Sequence, residues 1–482
     1  MCPQTKPSGI GSRICACAGR QGGTSGMQRK GPLRSVPERE AVEAREVEAS
    51  GEEPWASSLR LFANGGEGEA ADLLRDLAAA LGRSAAPLEP RADATATDRE
   101  TDAGLAFSSL VSKLGEAQGL EGPVFVLAAA HSAHPGTARQ AQALLDNLLR
   151  VRGCQSVPEF LRGACEGDEG CLAEVMRFLE PELRRETWQH NPSAKYIFCS
   201  VLQQVTRPWL SQHLEKVLPP ALLLSDDYRV ENKILGVKCL HHIIRNVPAA
   251  DLCQFNRVQV VNHALSLHLY SKEAHLMQIL LPCVLDLLPI LEKSSLQQSH
   301  NPPLVTPSDE VFQLVLTHME AEPQLSLRRI YARNLPTFVK RFGIQITQHL
   351  KRLQQVIVGY LEIADGPEEV ARLAILDTLK CTIQHTWPRM TCHLSVLLKA
   401  LLKMMWDVST DNSFTPEPVK AELLQRATEC LLLLDHSTHG QVKILLQGVY
   451  HHCQNDHLKN YLKKVQMEPV EVWPPGKLNK DV

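Results

Sequence analysis

Two stretches of this 482-residue chain gather the side chains that build metal and acid/base sites. The first, SDDYRVENKILGVKCLHHII (Ser225–Ile244), holds paired aspartates, a glutamate, a cysteine and adjacent histidines. The second, HHCQNDH (His451–His457), sets Cys453 four residues before His457 and His452 four before Asp456. On a helix that spacing puts each pair on one face. A zinc site takes three or four ligands in tetrahedral array, and nothing nearby marks the others. A polar helix near the end of the chain accounts for the same residues without a metal.

The first stretch also has a plain structural explanation. On a helix His241 and His242 project about 100° apart and do not face one ligand. Ser225, Asp226 and Asp227 stand where a helix is expected to begin, accepting hydrogen bonds from its free N–H groups and complementing its dipole. Ile234, Leu235, Val237, Leu240, Ile243 and Ile244 form its apolar side. A cap followed by a buried stripe explains every residue quoted.

Other chemistry is not signalled. The sequence has no GxxxxGK[ST], no GxGxxG after a strand, no GxSxG and no HExxH. A chain without catalytic activity or cofactor is expected. LRRIYARN (Leu327–Asn334) and KYIFCSVLQQVTRPW (Lys195–Trp209) are basic clusters, read as solvated helix faces. A net charge of −3 supplies no field to recruit nucleic acid or an anionic membrane. Trp209 and Tyr228, with Arg207 adjacent, are residue types that dominate interface energetics. With the neighbouring acids Asp226 and Asp227 they form the candidate partner-binding set.

The elements that position these residues are helical. Hydrophobic residues make up 44% of the chain and aromatics only 5%, a balance that favours helix-on-helix packing over sandwiches. The 14 cysteines are scattered without a CxxC pair, and no secretory apolar run follows Met1. Reduced thiols and a cytoplasmic and nuclear location are expected. The most apolar segment, LMQILLPCVLDLLPIL (Leu276–Leu291), reads as too short and too interrupted by prolines to span a bilayer. PVFVLAA (Pro123–Ala129) is the one strand candidate, and serves equally as a buried helix.

Composition divides the chain into residues 1–54, a disordered extension; 55–104, partly helical with a polar linker; 105–467, helical repeats; and 468–482, a flexible tail. Glycines in the basic first 37 residues spoil the amphipathic helix of a transit peptide. Within the repeats, comparable amphipathic helices start at Lys233, His275, Arg329, Arg372 and Lys420, spaced 42, 54, 43 and 48 residues apart. HEAT and armadillo repeats recur every ~40–47 residues. Each of these helices follows a partner helix, and the longest step holds the loop KSSLQQSHNPPLVTPSD. One such pair cannot bury its apolar faces alone, so neighbours must stack. The fold expected is all-α, an α-solenoid of HEAT/armadillo-like helical pairs.

QQVTRPWLSQHLEKVLPPALLLSDDYRVENKILGVKCLHHIIRNVPAADL (Gln203–Leu252) resembles the Tel-Two-interacting protein Two family. ETWQHNPSAKYIF, LRRIYARNLPTFV, QVIVGYLEIADGPEEVARLAIL and QHTWPRM carry the resemblance further, over roughly Gly122 to Val465 and more faintly back to Leu61. The first 60 residues depart from the family's acidic helical start and point to an alternative or mis-assigned start codon. The resemblance implies a non-catalytic scaffold, the smallest subunit of the Triple T complex, acting with Tti-One and Tel-Two. It further implies co-chaperone work with the ninety-kilodalton heat-shock chaperone on phosphatidylinositol-kinase-related kinases. A transport-receptor-like cargo adaptor is the alternative, and it requires an acidic groove lined by the second helix of each pair.

Overall fold

The computed structural model describes residues 121–132, 138–163, 170–190, 192–298, 305–410 and 415–468. The chain divides into Met1–Glu53 and Pro54–Val482, and every described residue belongs to the second unit. The expected extension, linker and tail therefore fall outside the described residues, as does the start of the repeat region.

Five short helices come first: α1 (Glu121–Ser132), α2 (Ala138–Val151), α3 (Val157–Arg162), α4 (Leu172–Leu179) and α5 (Pro192–Gln204). The strand candidate at Pro123 lies inside α1, where Val124, Phe125, Val126 and Leu127 are all buried and the helix pairs their backbone groups internally. The repeats follow. The pairs are α6 (Leu214–Ser225) with α7 (Val230–Asn246), then, after the short α8 (Ala249–Cys253), α9 (Arg257–His268) with α10 (Ala274–Gln298). Next are α11 (Pro307–Ala321) with α12 (Leu325–Phe342), and α13 (Leu350–Leu361) with α14 (Val370–Thr386). Last come α15 (Met390–Thr410) with α16 (Glu417–Ser437), and α17 (Gln441–His452) with α18 (Asp456–Met467). Among the described residues there is no strand.

Each first helix packs on the second helix of its pair. The second helices α7, α10, α12, α14 and α16 stack in chain order. One continuous apolar core results. The fold is the all-α solenoid that the spacing predicts, and the helices begin within a few residues of the expected starts.

Three local features explain the packing. Gly236 on α7 lies so close to α6 that an added Cβ would sit 2.2 Å from the backbone nitrogen of Ser225. That crossing admits only glycine on one side and a small residue on the other. Second, α10 runs unbroken through Pro282 and Pro289, which corrects the reading of Leu276–Leu291 as interrupted. By length and composition it could cross a bilayer, but 56% of that window is buried, as befits a core helix packed on α7, α9 and α12. Third, ion pairs stitch successive repeats along both rows of helices. Arg426 and Lys380 join α14 to α16 through Asp377 and Glu429. Arg352–Glu320 and Lys403–Glu362 join first helices to their successors.

Candidate interaction surfaces

The α6–α7 turn is built differently from the expected cap. Ser225 is the last residue of α6, buried, with its hydroxyl donating to the Leu222 carbonyl at 2.8 Å. Asp226 is the C-cap of α6 and is exposed. The N-cap position of α7 is Arg229, whose side chain caps nothing. α6 outruns its punctuation because Ser225 is small enough to lie under Gly236, and ending the helix earlier would leave that crossing unfilled. Asp227 acts sideways instead: buried, it accepts from the Arg229 N–H at 3.3 Å and from Asn232 Nδ2 at 2.6 Å. Lys195 on α5 donates to Asn232 Oδ1 at 2.8 Å, tying the turn to the preceding helix. Burial, reinforced by Arg229, lowers the Lys195 pKa. The adjacent histidines diverge. His241 reaches Asp286 on α10 at 2.9 Å, while His242 meets the Val205 carbonyl at 2.8 Å.

Arg207, Trp209 and Tyr228 do not form one strip. Trp209 stands before α6 and Tyr228 after it, about 18 Å apart along a helix of 12 residues. Trp209 is half-buried beneath the Arg162 guanidinium, 4.7 Å from its ring centre. Arg207 donates to the Val247 carbonyl at 3.2 Å. Arg207 ties the α5–α6 connection to the end of α7, and Trp209 ties it to α3. A groove of about 550 Å³ opens beside α6, lined by Met176, Leu183, Pro219, Pro220 and Leu223 together with charged residues such as Arg184 and Glu215, and neither Trp209 nor Tyr228 lines it. Tyr228 is 73% exposed, and Arg229 donates to its hydroxyl at 2.9 Å.

Tyr228 belongs to a different row. The turns within pairs share one edge of a stack of antiparallel pairs. At successive turns that edge exposes Tyr228, Tyr270 (69% exposed), Leu325 and Ile363. Tyr270 sets its ring edge against His318 of the next pair, with centroids 6.1 Å apart. Sequence reasoning found only the first member. The recurrence near the C-terminal end of each first helix was the signal available for the rest.

The same edge hides an acid that sequence reasoning passed over. Asp365, 2% exposed, accepts from the Ala371 N–H at 2.9 Å and the Arg372 N–H at 3.4 Å, capping α14 from outside it. Arg329 of α12 donates Nε to the same carboxylate at 3.0 Å. Burial pushes the Glu369 carboxyl up, against the pull of Arg372 at 3.7 Å. Asp365 is thus a turn acid held by a cation of the preceding pair, whereas Asp227, three pairs earlier, is held through Asn232, which also accepts from Lys195.

HHCQNDH is not one helix, which corrects the expected shared faces. α17 ends at His452, and Asn455 caps α18 by accepting from the Leu458 N–H at 3.1 Å. The turn between them breaks the i, i+4 pairs. Glu121, Cys171 and Glu174 do bring ligand atoms within 4.8 Å of one another. Arg152 occupies that position, bonded to Glu121 and at 3.5 Å to Cys171 Sγ. Burial pushes the Cys171 thiol up to about 12, which leaves it protonated and a poor metal ligand near neutral pH.

Comparison with known proteins supplies what geometry does not. The model of the Tti2 family matches residues 172–368, from α4 to the turn that carries Asp365. TELO2-interacting protein 2 of Homo sapiens is 49% identical over 418 residues, covering 82% of each chain. The chain belongs to the Tti2 family. The protein of that name from Rattus norvegicus is 48% identical, covering 84% of this chain and 85% of its own. That from Mus musculus is 47% identical, covering 85% of both chains. In this Tti2 chain, Asp227, Asp365 and the row from Tyr228 to Ile363 all fall inside the matched span.

Proposed function

We propose that this chain is a non-catalytic scaffold subunit of the Triple T co-chaperone complex, bound to Tti-One and Tel-Two. Through them it supports the maturation and stability of phosphatidylinositol-kinase-related kinases, with the ninety-kilodalton heat-shock chaperone as the indirect partner, in cytoplasm and nucleus. The observation that carries the proposal is the row of exposed apolar residues along one edge of a solenoid whose relatives are named for interacting with TELO2. A stack of helical pairs presents the extended area, ~2,000 Å² or more, that a permanent heteromeric contact buries. The cargo-adaptor alternative loses ground on the second helices, where Asp286, Asp377 and Glu429 are already matched by His241, Arg426 and Lys380.

Co-expression tests the proposal. With Tti-One and Tel-Two the chain is expected to copurify as a stable complex and to melt at higher temperature, because a ligand of the folded state stabilises it. Depleting Tti-One from cells is expected to lower the level of this protein. A chain equally soluble, equally thermostable and monomeric with and without these partners refutes the scaffold function.

A further inference from the structure

Among the described residues the last helical pair turns apolar side chains outward, where the end repeat of a solenoid ordinarily presents a polar face. On α17, Val442 and Leu446 face the core, while Ile444 (71% exposed), Leu445 and Val449 face outward. Gly448 sits among them, one turn beyond Ile444, and a Cβ built there meets nothing within 4 Å. A glycine inside a helix weakens it, and at this position no neighbour in the described chain requires one. At Gly236 the same residue type lets the backbone of α6 approach. Gly448 offers that clearance to the outside. Gly359 on α13 is also open, but Gln355 and Glu362 beside it are polar, and the exposed apolar residue four positions on, Ile363, belongs to the edge row.

The charge around this face is one-sided. Between Gln441 and Met467, Lys443, Lys459, Lys463 and Lys464 stand against a single acid, Asp456, in a chain of net charge −3. Lys443 is engaged by Asp435 at 3.6 Å and by the Glu468 carbonyl. Lys459 and Lys464 lie over the Tyr450 and Tyr461 rings, at 5.4 and 4.7 Å. Lys463 is exposed. A second copy of the chain would bring like charge onto like. From Glu468 to the last residue three acids face two lysines, a single net negative charge that is too small to answer four lysines. The occupant that fits is acidic and apolar at once.

We infer that the outer face of α17 docks an amphipathic helix of the larger scaffold partner, crossing at Gly448 with its carboxylates meeting the lysines of α18. This rests on the scaffold function proposed above. It adds an interface at the C-terminal pair, separate from the edge row.

The test uses the full chain and reconstituted Tti-One. Gly448→Gln restores helix propensity and fills the clearance, so the free chain should melt no lower while partner affinity falls at least about tenfold. Ile444→Glu should weaken binding to a similar extent. The double substitution Lys463→Glu with Lys464→Glu should slow association and flatten its salt dependence. If wild type binds and Gly448→Gln and Ile444→Glu bind unchanged, the docking inference fails and the scaffold function survives. If wild type does not bind Tti-One, both fail. Self-association abolished by Ile444→Glu would assign the face to a second copy. Amide protection of α17 in the free chain, lost on deleting 469–482, would assign it to the tail. Either result overturns the inference.

Discussion

The pair α13–α14 and the pair α17–α18 share one plan and use their polar groups in opposite ways. In the first, Asp365 is buried and accepts two backbone N–H groups and the Arg329 guanidinium, while Glu362 and Arg352 pair with neighbouring repeats. In the second, Asn455 caps α18 locally, the lysines of α18 rest on aromatic rings or face solvent, and apolar side chains point outward. Interior pairs are held by groups that look inward and backward. The terminal pair keeps its binding capacity unspent. The comparison teaches that stability and recognition are placed on different repeats, so substitutions should separate them.

The largest expected effect is at Asp365. Its replacement by alanine leaves two helix-end N–H groups unmatched and strips the half-buried Arg329 guanidinium of its carboxylate, leaving it loop carbonyls alone, and should cost about 3 kcal/mol in urea denaturation. Gly236→Ala comes next. The new methyl must displace the α6 backbone rather than a flexible side chain, so a loss of about 2–3 kcal/mol is expected in the same assay. The two turn aspartates should differ: Asp227→Ala costs about 1–2 kcal/mol, whereas exposed Asp226→Ala stays within about 0.5 kcal/mol. Equal effects would restore the cap that the structure replaces.

Acid provides a graded probe of an interior pair. Burial works against the Asp309 carboxylate, but His349 at 2.7 Å and the Thr306 N–H and hydroxyl at 2.9 and 2.7 Å hold its pKa below the ordinary 3.8. A carboxyl depressed in the folded chain contributes stability that is complete above about pH 4 and is lost as pH falls through the lower folded value. Asp309→Asn should therefore flatten the acid limb of a melting-temperature profile while weakening the chain at neutral pH. The smallest effect belongs to the terminal pair. Gly448→Ala should raise the stability of the free chain by about 0.5–1 kcal/mol, read from the same denaturation curves. A loss there would mean that α17 is packed rather than open.

The architecture was legible because helix stacking leaves a period in the sequence. Ile234, Val237, Leu240, Ile243 and Ile244 had to share a face, and the recurrence of that face near 43 residues had to mean stacking. Which end of the turn Asp227 serves was not legible, since a turn acid can cap either helix or neither. Its actual side-chain partner, Asn232, lies in the first turn of α7 and is shared with Lys195 of α5. Trp209 and Tyr228 were grouped by residue type and adjacency in sequence, and α6 holds them apart. Ile444 and Leu446 look alike in a hydrophobicity pattern. Only the absence of a following pair among the described residues leaves one outside and the other inside.

The turn acids carry one more consequence, which concerns time. Lys195 precedes Asn232, the partner of Asp227, and Arg329 precedes Asp365, so each cation leaves the ribosome before the acceptor that it will bind. Domains begin to fold during synthesis, at about 5–20 residues per second. Each new pair would then latch onto a finished one rather than await a later partner. We expect arrested nascent chains to gain protease resistance in steps, with α12 protected once Asp365 and α14 have emerged. Protection of α12 before that point would show that the latch is not needed.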